Sequence, residues 1–137
     1  MATPRSSNNR GKGTTLMEVH VRRIYEPVTE HDGRRVLVDR LWPRGISKAA
    51  AALDEWCRAV APSTDLRVWY GHDPERFAEF RRRYRAELTS GEAAAALQRL
   101  RVLAEQHALT LLTASRDPAT SNAAVVAELL AEPPADH

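Results

Sequence analysis

The chain has 137 residues, enough for one domain with one core, and its 20 Lys and Arg against 18 Asp and Glu leave a formal net charge of +2. No run approaches the ~20 continuous apolar residues that a membrane span needs, and the N-terminus has no apolar signal core. The single cysteine, Cys57, rules out an intramolecular disulfide and a cysteine-rich metal site. These features fit a reducing cytoplasm. The basic excess is local: residues 1–16 carry Arg5, Arg10 and Lys12 and no acid, which leaves 17 of the 20 basic side chains to balance all 18 acids. Arginine outnumbers lysine 18 to 2, a bias that base composition alone can produce, so abundance is weak support for phosphate binding.

Residues 1–16 are polar, with Ser6, Ser7, Asn8, Asn9, Gly11 and Gly13, and cannot bury enough apolar surface to order themselves. They read as a disordered basic tail, with Met17 as an alternative start; the α/β domain is expected over 17–132 and a short C-terminal tail over 133–137. Val19 and Val21 alternate with His20 and Arg22 before Ile24-Tyr25, which predicts a first strand over 18–25, ended by Glu26-Pro27. His31-Asp32-Gly33 turns into a second strand, Arg35 to Leu41, and the two strands are expected to pair. Ser47 caps a helix expected to run from Lys48 to Val60, with Leu53, Trp56, Cys57 and Val60 on its buried face. Leu66–Tyr70 reads as a short extended or irregular piece.

Asp73-Pro74-Glu75 starts the next helix, with Phe77, Phe80, Tyr84 and Leu88 as its apolar face and Arg81, Arg82, Arg83 and Arg85 over much of the rest. Thr89 to Glu92 has capping-box spacing for a further helix with Leu97, Leu100, Leu103 and Ala104 inside, ending near His107. Ala108–Ala114 is the best buried strand in the chain. Asp117 or Ser121 then caps a last helix that buries Val125, Val126, Leu129 and Leu130. This order predicts a small single α/β domain, a mostly parallel short sheet flanked by helices.

Two strand ends are unusually polar. One gives Asp39, Arg40, Trp42 and Arg44, with Pro43 fixing φ and Gly45 turning the chain away. The other gives Ser115, Arg116 and Asp117. In a parallel sheet such ends converge on one crevice, which Arg22 and Tyr25 join if the first strand runs the same way. Guanidinium groups there would bind phosphate or carboxylate, Trp42 would stack on a planar ligand, and the helix start at 117–122, with Asn122, would add N–H donors. The competing reading is architectural: Asp39 pairs with Arg40, Arg44 or Arg116, Trp42 is core, and Asp117 is only a cap. His72, at a loop–helix junction, is either a general acid or base or a local cap. His20, His31, His72, His107 and His137 lack metal-ligand spacing, so no metal is assigned. Without a P-loop or GxGxxG no cofactor is assigned either.

Several separated segments are similar to the DUF488 family of bacterial proteins, in particular its YeaO-like branch. They are Val36-Leu37-Val38-Asp39-Arg40-Leu41-Trp42-Pro43-Arg44-Gly45, Ala61-Pro62-Ser63, Gly71-His72-Asp73-Pro74-Glu75-Arg76-Phe77, Phe80-Arg81-Arg82-Arg83-Tyr84 and Thr110-Leu111-Leu112. The resemblance spans residues 18–131. DUF488 is a domain of unknown function, so the resemblance assigns no reaction. Its usual tyrosine after the last strand, and the later histidine before the asparagine, are replaced here by Thr113 and by residues within Ala119–Ser121; Asn122 is kept, and Phe77 stands where a tryptophan is common. If the missing histidine is catalytic in relatives, this chain is impaired, which favours binding. The expectation is a small anionic, phosphorylated ligand held by the arginine-rich strand ends. The alternatives are a hydrolase or transferase using His72 with Asp39 or Asp117, and nucleic-acid binding through the tail and Arg81–Arg85. No membrane partner is expected, and the oligomeric state is left open.

Overall fold

Val36, Leu37 and Val38 are fully buried in the computed structural model, which describes residues 18–132. The expected N-terminal tail, the alternative start at Met17 and the expected tail at 133–137 lie outside the described residues. Strands β1 (Val19–Arg23), β2 (Arg34–Leu37), β3 (Glu55–Trp56) and β4 (Leu109–Thr113) form one parallel sheet in the order β1-β4-β2-β3. Leu111 stands between Val21 and Val36 in the register. All five residues of β4 are buried, as a central strand covered on both faces must be.

The expected pairing of the first two strands does not occur, because β4 inserts between them. The connection over 24–33 holds no helix; it runs across one sheet face, where Ile24 packs with Leu37, Leu112 and Ala51. Helix α1 (Lys48–Ala51) lies on that face too. The opposite face carries α2 (Thr64–Tyr70), α3 (Phe77–Glu87), α4 (Gly91–Gln106) and α5 (Asn122–Ala131). Their apolar residues Phe80, Tyr84, Leu100, Val125 and Val126 pack on Val36, Leu109 and Leu111. Three 3-10 turns, Arg58–Val60, Pro74–Arg76 and Pro118–Thr120, link these pieces. The architecture is thus the small α/β domain that the pattern of elements predicts.

Several local expectations are corrected. The helix expected from Lys48 to Val60 stops at Ala51: Ala52 turns left-handed, and Glu55–Trp56 joins the sheet edge beside β2. The alanine run satisfies helix propensity for one turn only, and the sheet then claims Trp56 through its backbone. The piece expected to be irregular, Leu66–Tyr70, is helical: Ser63 accepts a hydrogen bond from Leu66 N and caps α2. The second strand, expected to run to Leu41, ends at Leu37, and the chain bends at Arg40 and Leu41. Capping also differs from the box spacing at Thr89–Glu92, since Ser90 takes the N-cap position and Thr89 Oγ1 donates back to Ala86 O.

A polar knot ties the connection to the sheet. Asp32, 3% exposed, accepts from Arg35 Nη1 at 2.6 Å, Arg22 Nη1 at 3.0 Å and the Thr29 backbone N–H at 3.0 Å. Arg35 also donates to the carbonyls of Ala51 and Ala52, so α1 hangs from the same group. Gly33 follows with φ +65°, and a Cβ there would meet Ala108 O at 2.2 Å. That close approach admits only glycine.

Candidate functional site

The C-terminal ends of β1, β4 and β2 open into a cavity of about 940 Å³. This is the crevice that parallel α/β sheets leave above their strands. Its floor comes from the end of β4 and the residues after β2. The Asp39 carboxylate accepts from Thr113 Oγ1 at 2.9 Å and from Ala114 N at 2.8 Å. Asn122, at the start of α5, donates through Nδ2 to Val38 O at 2.9 Å and so ties the helix to the strand end. Burial pushes the Asp39 carboxyl above the ordinary aspartate range, against the pull of the Ala114, Thr113 and Asn122 donors and of His72.

One wall is aromatic. The Tyr70 and Phe80 rings stack at 4.2 Å, and the Tyr70 hydroxyl donates to Thr120 O at 2.6 Å. The remaining wall and rim carry five arginines: Arg23, Arg40, Arg44, Arg67 and Arg116. Arg23 Nε donates to Ser115 O at 3.0 Å, and Arg40 Nε to Pro62 O at 3.3 Å. Arg67 Nε is buried without a hydrogen-bond partner. A buried N–H in that state costs about 1–3 kcal/mol. Among the described residues none of the five is ion-paired with a carboxylate.

The structure brings together ten of the eleven residues that the sequence reading assigns to a site: Tyr25, Asp39, Arg40, Trp42, Arg44, His72, Ser115, Arg116, Asp117 and Asn122 all line the cavity. Arg22 does not. β1 runs in the expected direction, but Arg22 points to the other sheet face and pairs with Asp32 and Glu26. Its neighbour Arg23 takes the place, as strand alternation requires. Trp42 lines the cavity with its indole already engaged: Nε1 donates to Ile46 O at 2.8 Å, and the ring meets Trp56 edge-on at 5.2 Å. Asp117 is the cap of the 3-10 turn, accepting from Ala119 N, while Ser121 caps α5. His72 is exposed with φ +59°, in the left-handed region that histidine, like asparagine and aspartate, enters more readily than most side chains.

Arg67 and Tyr70 were missed because their segment reads as irregular. As a helix it places positions 66 and 70 on the core and aims 67 at the cavity. The signal was present in Ser63-Thr64-Asp65, a capping serine with an acid in the first turn. The arginine run of α3 has a different environment. Arg81 pairs with Glu128, Arg82 and Arg83 with Glu79, and Arg85 with Glu132. Among the described residues no group of three or more His, Cys, Asp or Glu side chains could hold a metal ion, and no helix is long and apolar enough to cross a membrane.

A protein-family model described as "Inactive DUF488-N3 subclade" matches residues 18–137. The uncharacterised protein Rv3073c of Mycobacterium tuberculosis (strain ATCC 25618 / H37Rv) is 51% identical over 112 residues, which cover 82% of this chain and 92% of that protein. The uncharacterised protein YeaO of Escherichia coli (strain K12) is 41% identical over 114 residues, 83% of this chain and 97% of its own. No solved structure matches the chain.

Proposed function

This chain belongs to the DUF488 family, with YeaO-like relatives, and from that premise we propose that it binds a small anionic, phosphorylated molecule in the strand-end cavity without turning it over. One observation carries the reading. Five arginines line a single cavity with no carboxylate partner among the described residues, while the arginines of α3 are paired with glutamates. Unpaired guanidinium groups gathered round a concave site attract phosphate or carboxylate bidentately. The description of the matching subclade as inactive supports binding over catalysis.

The test is a thermal-shift screen against phosphorylated metabolites, nucleotides and short DNA at low and high salt. A ligand at 100 times its Kd stabilises by about 2.7 kcal/mol, a rise of roughly 10 °C in a domain of this size. Arg44 and Arg116 are exposed and donate no hydrogen bond among the described residues, so Arg44→Ala and Arg116→Ala should keep the fold and lose the shift. Loss of the fold instead would make the arginines architecture.

A second reading keeps turnover, with His72 as acid or base beside Asp39. The place of His72 in the cavity lining, where it acts electrostatically on the Asp39 carboxyl, favours it. His72→Ala would then abolish release of product from a bound phosphoester while leaving binding intact. Nucleic-acid binding is not favoured by the Arg81–Arg85 face, whose charges are neutralised locally.

A further inference from the structure

Building on the anion-binding reading, we infer that the ligand carries two anionic groups, held at opposite ends of the cavity about 10 Å apart, with a hydroxylated middle over Asp39. The arginines fall into two groups. The first stands over β1 and β4. Arg23 Nε donates to Ser115 O, next to Arg116, and its guanidinium lies over the Tyr25 ring at 5.0 Å. The Tyr25 hydroxyl in turn donates to the backbone carbonyl of Arg44 at 2.8 Å, which brings the Arg44 loop beside this group.

The second group stands beyond β2. Arg40 donates to the carbonyls of Pro62 and Ala61, just before α2. Arg67 rises from the first turn of that helix, its own N–H on Ser63 O at 2.9 Å, and its buried Nε has no partner. β4 separates β1 from β2, so the ends of those two strands, beside which the two groups stand, are two strand spacings apart, about 10 Å.

The Asp39 carboxylate lies between them. One of its oxygens accepts from Thr113 Oγ1 and the other from Ala114 N, with the Asn122 amide also close, and a carboxylate has lone pairs beyond these for a ligand hydroxyl. A cavity of about 940 Å³ is of the size that encloses a whole small molecule, not a single ion. A sugar phosphorylated at both ends has this chemistry.

The test is calorimetric titration of the full chain with glucose 6-phosphate, glucose 1,6-bisphosphate and inorganic pyrophosphate. The bisphosphate should bind at least ~10-fold tighter than the monophosphate, because it gains a second set of charge-assisted hydrogen bonds. Pyrophosphate, with its charges adjacent, should gain no such advantage. Arg67→Gln and Arg116→Gln should each reduce the bisphosphate to monophosphate affinity, with the ligand-free melting temperature as the check on folding. Should Arg67→Gln melt early, Arg40→Gln serves for the same group. Equal affinity for the two sugars, or pyrophosphate as the tightest, overturns the two-ended ligand and leaves the anion reading standing. No binding of any of the three overturns both.

Discussion

Two aspartates show how environment gives one side chain opposite roles. Burial works to raise Asp32, but the Thr29 backbone N–H, the Thr29 hydroxyl and the Arg35 guanidinium outweigh it and hold the carboxyl at about 2. A folded-state pKa below the ordinary aspartate value means that the unfolded chain binds the proton more tightly. Its stabilisation, about 2 kcal/mol, is therefore present above pH 4 and lost as the pH falls towards 2. Asp32→Asn should flatten that acid limb and cost about 2–3 kcal/mol at neutral pH, read by urea melts from pH 2 to pH 7. Asp39 has the other sign. Burial raises its pKa, so its contribution is greatest below the ordinary aspartate range and is lost as the pH climbs through its folded value. Asp39→Ala should nonetheless destabilise by about 2–3 kcal/mol at neutral pH, because Thr113 Oγ1 and Ala114 N lose their acceptor. Asp39→Asn, which keeps one acceptor oxygen, should cost less in the same denaturation experiment.

At the scale of elements, α2 links fold to site. Ser63 accepts from Leu66 N, and its own N–H and hydroxyl go to Glu87 of α3 at 2.9 and 2.6 Å. One serine thus starts the helix that presents Arg67 and fixes it to its neighbour. Ser63→Ala should cost about 1–2 kcal/mol in a denaturant melt, and should weaken ligand binding by loosening Arg67 without touching the cavity. The same helix shows where sequence patterns run out. Seven residues are too few for periodicity to distinguish a helix from an extended piece, and only the serine cap signals it. The alanine run at 49–52 misleads in the other direction: propensity predicts a long helix, and the vacant edge of β2 decides otherwise. Elements with a long apolar period or a fully apolar run, α4, α5 and β4, stand close to where the sequence puts them.

Across the whole molecule the arginines divide by environment: those on α3 are matched to glutamates, Arg22 and Arg35 are anchored on Asp32, and five more line the cavity without a carboxylate partner among the described residues. The strand ends were legible because Asp39, Arg40 and Arg44 follow an apolar run that needs no charge, and because parallel strands must bring their ends together. Arg23 was hidden by the one-residue alternation of a strand, and Arg67 by its misread helix. On this reading the cavity arginines, and not arginines in general, hold an anion. The most direct measurement is an NMR titration of the arginine Nε–Hε resonances of the full chain with glucose 1,6-bisphosphate at 150 mM salt. Saturable shifts are expected at Arg23, Arg40, Arg44, Arg67 and Arg116, with Arg81, Arg82, Arg83 and Arg85 unmoved. Small, non-saturating shifts spread over both sets would contradict it.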